Sequence, residues 1–184
     1  MTQVTPEQIA QGHPIRRHLQ VTEANSVDKI PKVLFFSRGS ASRSQMAEGF
    51  LRSLAGDRFI PVSAGADAAD VSPLAAEVMR EIGIDISAQK PRDVASLFRE
   101  TFQYVVVLGD ESRERYPIYP FARKLLKWCV PNPEIAVSET EARKRAFREV
   151  RDQTRNKVEE LIEAIAGVSE AKGTSAEIVH RAAA

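Results

Sequence analysis

With 184 residues, 43% of them hydrophobic and 28% charged, the chain has the make-up of one globular domain with a substantial core. A formal net charge of +1 supplies no field for nucleic acid or a membrane surface, the apolar runs are too short to span a bilayer, and the N-terminus lacks a basic-then-apolar signal pattern. The lone cysteine, Cys129, excludes an internal disulfide or a cysteine-built zinc cluster, so a cytoplasmic protein with no metal and no cofactor is expected.

Residues 1–29 are polar and mixed. Thr5-Pro6-Glu7 reads as a helix start and Gly12-His13-Pro14 as a break, and the stretch is expected to be an N-terminal extension. Residues 30–36 form the first strand through the apolar run Val33-Leu34-Phe35-Phe36. Residues 42–55 form the first helix, in which Met46, Ala47, Phe50, Leu51 and Leu54 share one face. Phe59-Ile60-Pro61-Val62 is the second strand, turning at Ser63-Ala64-Gly65. Ser72-Pro73 opens the next helix, Leu74, Val78, Met79 and Ile82 mark its buried side, and Gly83 closes it. After the connection Gly83-Ile84-Asp85-Ile86, Asp93 caps a short helix carrying Val94, Leu97 and Phe98. Tyr104-Val105-Val106-Val107-Leu108 is a third strand, buried on both faces, and Gly109-Asp110 turns it.

Pro117 and Pro120 mark an irregular loop. Leu125 to Val130 is the fourth strand, in which Cys129 is expected to be buried and inert, and Pro131-Asn132-Pro133 stops it. Ser138 with Glu141 makes a capping box, and Phe147, Val150, Val158, Leu161 and Ile165 recur at helical spacing to Gly167. The divisions are thus 1–29, a domain over 30–167, and a tail over 168–184. Alternating strands and helices imply an α/β fold, a four-stranded parallel sheet with helices on both faces. Ligands of such sheets bind beyond the carboxyl ends of the strands, where Ser37, Gly65, Gly109 and Asn132 should all lie.

One stretch carries chemistry: Ser37-Arg38-Gly39-Ser40-Ala41-Ser42-Arg43-Ser44 runs from buried strand to amphipathic helix. Its small residues let the backbone curl and aim N–H groups at one point, and the helix N-terminus adds partial positive charge. Arg43 adds a forked, permanently charged donor set suited to a tetrahedral oxyanion. Residues 38–44 therefore read as a phosphate-sized cradle.

This loop resembles the signature loop of the low-molecular-weight protein tyrosine phosphatases: a Cys, five residues, an Arg, then Ser or Thr. The continuation Gln45-Met46-Ala47-Glu48-Gly49-Phe50 resembles the thioredoxin-coupled arsenate reductase branch. The similarity runs from about Lys32 to about Ile165, through Val62-Ser63-Ala64-Gly65, Pro73-Leu74-Ala75, Glu81 to Ile86, and the Phe147 to Ile165 helix. It implies a flavodoxin-like three-layer sandwich.

It also implies a degenerate active site. The family's nucleophilic Cys falls on Ser37, a far weaker nucleophile without a base. The phosphatases' general acid, an Asp before a Pro, falls on Asn132, whose amide cannot deliver a proton. The two relay cysteines of the reductases fall on Gly109 and Tyr116. A potassium ion held in some reductases by Asn, Glu and Ser would meet Ser40, Glu48 and Ser63, and a structural hydrogen bond from Glu48 is the expected role instead. Three functions compete. One is a pseudo-phosphatase that binds phosphate, arsenate, sulfate or a phosphorylated protein. The second is a weakly active or trapped tyrosine phosphatase with an unusual base such as Asp110. The third is a regulatory subunit docking through Arg143-Lys144-Arg145.

Overall fold

The computed structural model describes residues 30–38, 41–65, 70–90, 92–109, 122–135 and 140–181. Five parallel strands form one sheet in the order β3-β2-β1-β4-β5: β1 Lys32–Ser37, β2 Ile60–Gly65, β3 Arg92–Asp93, β4 Phe102–Gly109 and β5 Ala122–Cys129. The helices are α1 Ala41–Ala55, α2 Pro73–Arg80 and α3 Thr140–Arg181, with a 3-10 turn at Val94–Leu97. The expected four strands become five. The addition, β3, is two residues pairing Arg92 with Ala64 and Asp93 with Gly65, too short to leave a periodic signal.

Strand β1 lies between β2 and β4, which explains its unbroken apolar run. Its side chains alternate. Val33 and Phe35 join the core shared with α1, α2 and α3, and Leu34 and Phe36 join a smaller core with Leu97 of the 3-10 turn. The two sets of side chains make three layers: helices, sheet, and the turn with its flanking chain. Asp93 accepts a hydrogen bond from the Ala95 N–H, so it caps that turn as expected. Gly83 has φ of +80°, the left-handed residue that ends α2.

Other expectations are corrected. Residues 42–51 of α1 are all buried, so α1 is enclosed rather than one-sided, while Leu54, expected inward, is 40% exposed near the helix end. Ile82 is likewise exposed, because α2 has ended at Arg80. Cys129 is exposed, because among the described residues β5 is the edge strand, paired with β4 alone. Helix α3 does not stop at Gly167. It runs 42 residues, about 63 Å, because Gly167 keeps helical backbone instead of turning left-handed. Among the described residues, no helix is long and apolar enough to cross a membrane. The proposed capping residue Ser138 lies outside the described residues.

The α2–α3 contact is apolar inside and charged outside. Phe147 and Val150 pack into the core with Val78 and Met79. At helical spacing, Lys144 binds Glu77 at 2.5 Å, Arg148 makes a forked pair with Glu81, and Arg151 donates to the Val78 carbonyl at 3.0 Å. The last bond satisfies a carbonyl at the end of α2. Of the basic run 143–145, two members are therefore engaged within the fold, since Arg143 binds Glu134.

Candidate functional site: a loop at the carboxyl edge of the sheet

Ser37, Gly65 and Gly109 are the last residues of β1, β2 and β4, and Asn132 comes three residues after the end of β5. All four stand on the carboxyl edge, as alternation implied. The chain leaves β1 at Ser37, exposes Arg38, and enters α1 at Ala41, whose first turn presents N–H groups that its own carbonyls cannot satisfy. Gly39 and Ser40 lie outside the described residues.

Ser37 is 1% exposed, and its hydroxyl is hydrogen-bonded to that of Ser44 at 2.9 Å. Arg43 is fully buried. Its Nη1 donates to the Val130 carbonyl at 2.9 Å and its Nη2 to the Arg38 carbonyl at 2.9 Å. One guanidinium thus ties the start of the loop to the end of β5. Two carbonyl acceptors orient it without moving its charge.

The segment after β5 is drawn to the loop by a second bond. Ser42 Oγ donates to Glu134 Oε1 at 2.8 Å, and Arg143 Nη2 binds Glu134 Oε2 at 2.7 Å. Asn132 Oδ1 accepts the Glu134 N–H at 3.0 Å, so the Asn132 side chain shapes this turn. Sequence reasoning passed over Glu134. Its signal was a carboxylate two residues beyond Asn132 on the same sheet edge. The carbonyls of Arg38 and Val130 left no signal, because any residue supplies one.

Glu48 is buried and forms an ion pair with Arg52 one turn on, in keeping with the structural role expected of it. Ser63 is buried on the neighbouring strand. Among the described residues, no group of three His, Cys, Asp or Glu is placed to hold a metal ion. Asp110 and Tyr116 lie outside the described residues, and Gly109 stands opposite Cys129 in the β4–β5 register. A cavity of about 320 Å³ opens between β4–β5 and the second half of α3, lined by Tyr104, Trp128 and Leu161 among others. It includes no residue of the loop.

Comparison with known proteins agrees with this geometry. The model of the low molecular weight phosphotyrosine protein phosphatase family matches residues 32–171. The chain belongs to that family. Within the phosphatase family it is 33% identical over 131 residues to an arsenate reductase of Bacillus subtilis (strain 168), covering 71% of this chain and 94% of the relative. A solved arsenate reductase in the phosphate-binding state superposes with a TM-score of 0.63 at 30% identity, covering 73% of this chain and 98% of the other. A tyrosine phosphatase of Erwinia amylovora shares the fold alone, with a TM-score of 0.56 at 17% identity over 74% of this chain and 93% of that one. The arsenate reductase branch of the phosphatase family and its flavodoxin-like sheet are thereby shown, with five strands.

Proposed function

We propose that this phosphatase-family member is an oxyanion-binding pseudo-phosphatase. It holds a phosphate-like group, free or on a phosphorylated protein, in the loop 38–44 without turning it over. The observation that carries this reading is the Ser37–Ser44 pair at the end of β1. A hydroxyl bonded to another hydroxyl gains no base from that contact, and a serine hydroxyl is a far weaker nucleophile than the family's thiolate. Asn132, turned to the Glu134 N–H, accepts a hydrogen bond and has no acidic proton to give a leaving group. The binding half of the machinery persists: the N-terminal turn of a 15-residue helix, and Arg43 fixed at the loop by two carbonyls. A structural relative, an arsenate reductase solved in the phosphate binding state, supports the choice of anion.

The test is thermal melting in phosphate against chloride at matched ionic strength. A ligand at about 100 times its dissociation constant adds about 2.7 kcal/mol to folding stability. The expected result is a higher Tm in phosphate, removed by Arg43→Ala and reduced less by Arg38→Ala, since Arg38 is exposed. Equal melting in both salts, or a phosphate effect that survives Arg43→Ala, would overturn it.

A further inference from the structure

We infer that the cavity between β4–β5 and α3 is a binding site for a small aromatic anion, such as an arenecarboxylate. It shares no residue with the loop 38–44 and does not depend on the reading given to that loop. Parallel register builds its floor. Tyr104 stands opposite Lys124 and Leu108 opposite Trp128, four positions further along each strand, so Lys124 and Trp128 project on the same face as Tyr104. That is the face of the main core, where Phe35 meets the Trp128 ring at 5.8 Å between centroids. Lys157, Leu161 and Ala164, on one stripe of α3, form the opposite wall. Ala164 contributes only a methyl group to it, and a space of about 320 Å³ is left between the layers. Protein interiors are close-packed as a rule, and a space of this size falls among pockets for small ligands, about 300–1,000 Å³.

The walls select the occupant. Tyr104 and Trp128 offer flat apolar surface, and aromatic pairs gain energy beyond the area that they bury. Charge comes from Lys124 and Lys157. Neither has a hydrogen-bonding or ionic partner among the described residues, whereas Arg155, two positions from Lys157, is paired with Glu159. Lys157 is half-buried, and a partly desolvated ammonium without a counter-charge is costly. Among the described residues Glu160 is the single carboxylate in the lining, so two cations against one anion leave the walls net positive. A neutral ligand would leave both ammonium groups unmatched. An aromatic acid covers the rings with its body and brings a carboxylate to the lysines.

Trp128 is the chain's single tryptophan, so its indole N–H gives one magnetic resonance signal that reports on the cavity. Titration of the isotope-labelled whole chain with sodium naphthoate should shift that signal saturably. Naphthamide, alike in shape and uncharged, should bind about tenfold more weakly. Lys157→Met keeps an apolar stem and removes the charge, so it should close most of that gap, weakening naphthoate and leaving naphthamide as it was. Lys124→Met should act in the same direction but less, because Lys124 is exposed and water screens it. Ala164→Phe, at an exposed helix position, fills the space and should weaken both probes. The lysine variants decide the matter if Ala164→Phe does not fold. No saturable shift with naphthoate, equal binding of acid and amide, or an affinity that both lysine substitutions leave unchanged would overturn the inference. So would sedimentation as a dimer that Ala164→Phe dissociates, which would assign the cavity to a second copy of the chain. None of these outcomes bears on phosphate-dependent melting, so the loop reading stands or falls separately.

Discussion

A hydroxyl at position 37 is neutral where a thiolate would carry charge, and the proposed loss of turnover turns on this atom together with the amide of Asn132. Ser37→Cys restores the sulfur in a setting of helix N-terminus, neighbouring hydroxyl and Arg43, all of which favour a thiolate. The introduced thiol should alkylate faster than the exposed native Cys129, measured by mass spectrometry against time near pH 7. A rate no greater than that of Cys129 would mean the loop is not electropositive. Turnover of a phosphomonoester should remain slight in Ser37→Cys alone and rise on adding Asn132→Asp, which supplies the missing proton. At this scale the sequence was legible for Ser37, Arg43 and Asn132, because spacing from a strand end locates them. Glu134 was not, since a carboxylate in a polar turn becomes informative only when its neighbours are known.

The elements meet at places where one atom decides the fit. A Cβ added at Gly49, in the middle of α1, would come within 2.6 Å of Ile86 Cγ2. Ile86 is fully buried and branched at Cβ, so it has little room to yield. Gly49→Ala should therefore destabilise by about 1–3 kcal/mol through overpacking, although alanine favours a helix. Denaturant unfolding measures it, and a gain in stability would show that α1 and Ile86 can move apart at little cost.

The α2–α3 seam has a pH signature. Hydrogen bonds from Arg148 hold the Glu81 carboxyl down from 4.5 to about 2. Because the folded value lies below the unfolded one, the contribution is complete above about pH 4.5 and is lost as pH falls from there toward 2. Glu81→Gln should lower stability at pH 7 and flatten the acid limb between these values, as followed by melting against pH.

For the whole molecule, electron supply is the limit on chemistry. Reduction of arsenate takes two electrons from thiols, and the chain has one cysteine, on the edge strand β5. With thioredoxin, its reductase and NADPH, arsenite should not form above the rate without this protein. A protein-dependent rate would refute the pseudoenzyme reading. Core integrity has its own scale. Phe147 is fully buried between α3 and the rest of the main core, so Phe147→Ala should cost about 3–5 kcal/mol, measured by denaturant unfolding.

The sequence by itself determined the parallel α/β sheet, the place of Ser37 at a strand end, and the loop and helix that come after it. Strands alternating with helices must run parallel when the crossovers are right-handed, and a parallel sheet puts every strand's carboxyl end on one edge. Only the tertiary structure decided which residues meet across that edge. Val130 and Arg38 bind Arg43 through carbonyls that every residue possesses, and Glu134 reaches Ser42 across 92 positions of chain. Edge or centre was also a tertiary matter: Leu125 to Val130 reads as a strand without showing its place in the sheet, and among the described residues β5 has no outer neighbour, so Cys129 is exposed. Local pattern is set by chain period, whereas partnership is set by where the sheet ends and which loops close over it.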